Sequence, residues 1–206
     1  MDIPWGDIAT FTTAALSAAA AAGAWRAAHR SATTSETVAR IEQNRWHAEL
    51  MPQFDITIER GDGDRATLSV RLAGPLPLHH LDTIRIEISQ SDDMAYIART
   101  PGPPTQDELD AQVWGPIQFA HGADGADVSG KTVDPFALEV GKGRPFSIER
   151  TRAPHWQQGN DRDARWRDQW LNKPVRLVLT CSREGFRGWV VPYEVEAPQA
   201  TGVRWL

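Results

Sequence analysis

From Pro52 onward the chain alternates. Phe54, Ile56 and Ile58 share one face of "FDITIE", Leu68, Val70 and Leu72 one face of "ATLSVRL", and Ile84, Ile86 and Ile88 one face of "DTIRIEIS". A two-residue period marks a strand with one buried and one wet face, whereas a helix repeats its apolar face about every 3.6 residues. Four more runs follow: "GPIQFAH", "RPFSIERT", "PVRLVLTCS" and "GWVVPYEVE". "RGDGDR" and "REGFRG" carry the turn residues of two hairpins. These strands predict a mainly β fold, an antiparallel β-sandwich that is immunoglobulin-like in outline, over residues 52–206.

Residues 1–51 read differently. Ile8 to Trp25 runs eighteen residues without a charge, the lower bound for a membrane-crossing helix, although most of them are Ala, Ser or Thr rather than strong drivers of insertion. Trp5 and Trp25 stand twenty steps apart, about 30 Å on a helix, a spacing that suits two interfacial anchors. Asp2 and Asp7 precede the stretch and Arg26, His29 and Arg30 follow it, so a single pass through a bacterial inner membrane would leave the β domain in the cytoplasm. The alternative is a cytoplasmic, Ala-rich soluble helix. Thr33 and Glu36 have capping-box spacing and mark a kink or a restart, and Pro52 ends the helical segment.

Charge excludes one class of partner. The formal net charge of −5 is spread evenly, and no basic run interleaved with aromatics offers a footprint for nucleic acid. The single cysteine, Cys181, rules out an internal disulfide and reads as a small apolar residue of a strand. Asp62 and Asp64 lack the remaining ligands of a calcium loop, and His79 and His80 point oppositely on an extended chain, so neither pair predicts a metal site.

One stretch matches a named chemistry letter for letter. "GADVSGKT", Gly125 to Thr132, has the G-x-x-x-x-G-K-[ST] pattern of a phosphate-binding loop, with Gly125, Gly130, Lys131 and Thr132 at the defining positions. Such a loop needs a buried parallel strand before it and a long helix after it. Here Gly141, Gly143 and Pro145 leave room for two or three helical turns at most, and no later strand ends in a magnesium-binding Asp. The motif is read as a decoy on a surface loop, and a nucleotide-binding enzyme stays a distant alternative.

Nine tryptophans are a second unusual feature. Trp166 and Trp170 are four apart, so a short helix near 161–171 would show both on one side and plug an end of the sheets. Together with Trp156 they are the candidate ligand-binding residues, an aromatic platform for a carbohydrate or a small cation. No paired carboxylates, nucleophile elbow or His/Glu metal helix is legible, so neither a catalytic residue nor a cofactor is assigned.

Through "EQNRWHAELMPQFDI", "GRPFSIERTRAPHW" and "KPVRLVLTC" the chain resembles a group of uncharacterised proteins from high-GC bacteria. The resemblance implies a helix plus a compact domain and brings no activity with it. The expectation is a non-enzymatic interaction or scaffolding module with an unknown protein partner, held at the membrane through residues 8–25.

Overall fold

The computed structural model describes residues 5–61, 63–89, 104–157 and 159–196. The chain divides into two compact units, residues 1–49 and 50–206. The first is one helix, α1 (Trp5–Glu49), 45 residues long, or about 67 Å at 1.5 Å per residue. The side chains of residues 5–24 lie outside the described residues, and most of the apolar stretch lies there with them. Among the described residues no helix is long and apolar enough to cross a membrane.

Of the expected kink or restart at Thr33, the restart does not occur: α1 runs unbroken through it. Thr33 and Thr34 both donate their hydroxyls to the Arg30 carbonyl at 2.9 Å, and Thr37 donates to that of Thr33. These hydroxyls bond backward into the helix instead of capping a new one. Pro52 disfavours a helical conformation at Met51, and α1 stops at Glu49.

The described residues of unit two hold eight strands: β1 (Gln53–Arg60), β2 (Arg65–Gly74), β3 (His80–Ile88), β4 (Ile117–Phe119), β5 (Phe136–Glu139), β6 (Gly143–Arg150), β7 (Val175–Ser182) and β8 (Trp189–Val195). They form two four-stranded sheets, ordered β1-β2-β6-β4 and β5-β3-β7-β8, with every pairing antiparallel. The alternating residues of both sheets bury themselves in one apolar cluster: Leu68, Val70 and Leu72 of β2 and Ile84 and Ile86 of β3 are all fully buried. Each such side chain contributes about 1.5–3 kcal/mol of transfer free energy.

All seven strands read from the sequence are present, and both hairpins close as expected. Gly61 N–H donates to the Arg65 carbonyl at 3.0 Å in the first, and Phe186 N–H to that of Arg183 at 3.1 Å in the second. The eighth strand, β5, lies where the sequence left room for a short helix. Its Phe136 and Leu138 pair beside β3 and bury their side chains in the shared core.

Two longer connections carry the other α-helices of the described residues. Between β3 and β4 lies α2 (Gln106–Ala111), started by a reciprocal capping box: Thr105 N–H donates to the Glu108 carboxylate at 2.8 Å, and Glu108 N–H donates back to Thr105 Oγ1. Between β6 and β7 lies α3 (Arg162–Gln169), the Trp-bearing helix expected near 161–171.

Candidate functional site

Just past the end of β6 lies Thr151, 4% exposed and the one buried polar residue among the described residues. Its hydroxyl donates to the Gly115 carbonyl at 2.5 Å and accepts from Trp166 Nε1 at 2.9 Å. One oxygen thus ties the segment before β4, the end of β6 and α3 together. The helix presents Trp166 and Trp170 on the same side, and with Trp114 and Ala153 they make a second, smaller core. The Trp166 ring lies 5.8 Å from that of Trp114 and 5.5 Å from that of Trp170, both tilted toward edge-to-face geometry, the arrangement that aromatic quadrupoles favour. Trp114 Nε1 donates to the Leu109 carbonyl at 3.1 Å, so α2 is held to the same cluster.

The structure brings together the three tryptophans proposed from the sequence. Trp166 and Trp170 are 1% and 4% exposed, so they offer no open ring face for a sugar or a cation to stack on. Trp156 is half-buried and packs on the flank of the cluster, with the His155 ring 5.0 Å away. Among the described residues the indole N–H groups of Trp156 and Trp170 have no acceptor. Trp114 was missed because its place in "AQVWGPIQF" shows no periodic partner. It meets Trp166 only once the sheet has folded.

Beside the cluster lies a cleft of about 80 Å³ between α3, the β1–β2 turn and the end of β6. Ile58, Ala66, Ile117, Trp166, Trp170 and Leu171 line its apolar part, and Arg65, Arg150 and Arg167 its rim. An outer groove of about 590 Å³ shares Thr151, Trp166 and Arg167 with it and adds Arg152, Arg162 and Asp163. The polar groups hold one another: Arg150 Nε lies 3.8 Å from Asp64, Arg162 Nε lies 3.4 Å from Asp163, and Gln118 donates to Glu149 at 3.0 Å. Arg167 Nε donates to the Asp163 carbonyl at 3.2 Å. Asp62, the other half of the calcium-loop alternative, lies outside the described residues. Among the described residues no group of three His, Cys, Asp or Glu side chains could hold a metal ion.

Gly125 to Thr132 forms turns and leads through a single β-bridge at Thr132 into β5, not into a helix. Its amides are already occupied. Asp127 Oδ1 accepts from Lys131 N–H at 2.8 Å and from Thr132 N–H at 3.3 Å, while Ser129 Oγ donates to Oδ2 at 2.8 Å. The loop's own carboxylate therefore sits against the amides that a phosphate would need. Burial pushes the Asp127 carboxyl up, but these hydrogen bonds outweigh it and hold the group below its usual range.

Lys131 sends its ammonium to the Asp110 carbonyl at the end of α2. Burial pulls that ammonium below the usual lysine range, against the opposing charges of Asp110, Glu87 and Asp127. The motif's glycines serve the loop too. Gly125 and Gly130 have φ of +69° and +73°, and a Cβ at Gly125 would collide with Asp134.

Cys181 is fully buried in β7, and burial pushes its thiol up to about 12, which keeps it unreactive. No family model matches this chain, and no curated protein matches it.

Proposed function

We propose that this chain is a non-enzymatic interaction module: a β-sandwich, immunoglobulin-like in outline, carried by α1 on the cytoplasmic face of a bacterial inner membrane and binding through the cleft beside Thr151. The observation that carries the reading is the cleft itself. Apolar side chains line it, and two of its polar groups are fixed: Arg150 lies 3.8 Å from Asp64, and Arg167 Nε donates to the Asp163 carbonyl. A small apolar recess with a few fixed polar groups is the usual form of a binding site.

Strand order supports the immunoglobulin-like outline. The order β1-β2-β6-β4 corresponds to A-B-E-D, and β3-β7-β8 to C-F-G with β5 as an added edge. The departure is that the chain makes β4 before β5. Anchoring rests on the uncharged stretch from Ile8 to Trp25 and its flanking charges.

Two experiments test the two halves of the reading. Full-length protein should sediment with membranes and stay there in high salt, and recovery in the supernatant at both low and high salt removes the anchor. A fragment screen read by indole N–H resonances should give hits that shift Trp166 and Trp170 together. Hits that leave both signals unmoved, or a screen without hits, remove the cleft as the binding surface.

A further inference from the structure

The arginines of the groove outnumber its acids in a chain whose net charge has the opposite sign. Five arginines, Arg65, Arg150, Arg152, Arg162 and Arg167, line the cleft and groove alongside three acids, Asp64, Glu149 and Asp163, whereas the chain as a whole carries −5. The three carboxylates are engaged with Arg150, Gln118 and Arg162. Among the described residues Arg65 and Arg152 have no carboxylate within 4.0 Å, and Arg167 spends only its Nε, on a backbone carbonyl. A guanidinium fork matches the two oxygens of an oxyanion, and three such forks retain donors here. Behind them the recess is apolar, with Ile58, Ile117, Trp166 and Leu171 on its walls.

We propose that the cleft takes an amphipathic carboxylate, its apolar body in the recess and its head group against Arg152 and Arg167. A cationic ligand is disfavoured twice: the guanidiniums repel it, and the buried rings of Trp166 and Trp170 give it no open π face. An uncharged apolar ligand would fill the recess and leave the arginines in water. This assignment rests on the cleft being the binding surface and adds the chemical class of what it binds.

Three probes of one chain length separate the possibilities: octanoate, octanol and octylammonium, each added to the full chain below its micelle-forming concentration. The readout is the Trp166 and Trp170 indole N–H resonances. Octanoate is expected to shift both saturably, octanol to bind at least tenfold more weakly and octylammonium not at all. The double variant Arg152→Gln, Arg167→Gln should weaken octanoate about tenfold and leave octanol unchanged, while Arg187→Gln in the exposed β7–β8 turn leaves both unchanged. Raising salt should weaken octanoate alone, as screening of an exposed charge requires.

Octanol or octylammonium binding as tightly as octanoate would overturn the carboxylate assignment and leave the cleft a binding surface. So would an octanoate affinity indifferent to the double variant. If octanoate gives no saturable shift while the fragment screen finds binders at Trp166 and Trp170, the ligand class is wrong and the site stands. If neither gives a shift, both are wrong.

Discussion

Thr151 bonds Gly115 on one side and Trp166 on the other through a single hydroxyl. Thr151→Val keeps the volume and removes the oxygen, which strands a buried indole N–H and a carbonyl. A loss of about 1–3 kcal/mol is expected, measured as a lower urea midpoint at unchanged slope. Thr151→Ser should recover most of it, and a Val variant as stable as the parent would mean that both groups find other partners.

Asp127 gives a pH prediction of definite sign. Its folded carboxyl titrates below the ordinary value of 3.8, so its stabilisation of the loop is present above that value and is lost as pH falls through the lower, folded one. The Lys131 and Thr132 amide resonances should titrate together with a midpoint below 3.8. A midpoint at or above it would show that those amides do not hold the charge. From the sequence, the letters of the motif were legible and so was the lack of a helix to follow. That Asp127 fills the cradle was not, because side-chain direction inside a turn has no period to read.

At the level of elements, prolines show where the ladders end. Pro145 of β6 stands opposite Ser69 of β2, beyond the reach of β4, which pairs only with Ile148 to Arg150. Pro192 stands opposite Val178 in β8, the outermost strand of its sheet. A proline has no N–H to give, so each is tolerated where a donor would otherwise face an open edge. Pro192→Val restores that donor beside the exposed Val190, and the variant should self-associate at concentrations where the parent is monodisperse in sedimentation velocity. Equal behaviour would mean that the edge is protected otherwise.

The long strands were legible because three or four alternating apolar residues leave no other period. β5 has only Phe136 and Leu138 to alternate, too few to separate a strand from a turn of helix. A capping box such as that of Thr105 and Glu108 is a local signal, because its two residues stand three apart in the chain. The same spacing at Thr33 misled, because a mid-helix threonine can bond its own preceding turn.

For the whole molecule, the division at residue 49 predicts that residues 50–206 fold alone, with one cooperative calorimetric transition. A broad, non-cooperative melt would count against it. The two sheets could be anticipated from the sequence, but the cleft could not. Its walls come from the β1–β2 turn, the end of β6 and α3, segments separated by scores of residues and joined only by the fold. Among the described residues of this unit, Trp114, Trp156, Trp166 and Trp170 cluster together, against Trp189 alone in the sheet core, and this biases its spectroscopy. Four of its six tryptophans report on one cluster. A red shift on heating would announce the loosening of α3, while far-ultraviolet dichroism, which reports the ladders, could still read native.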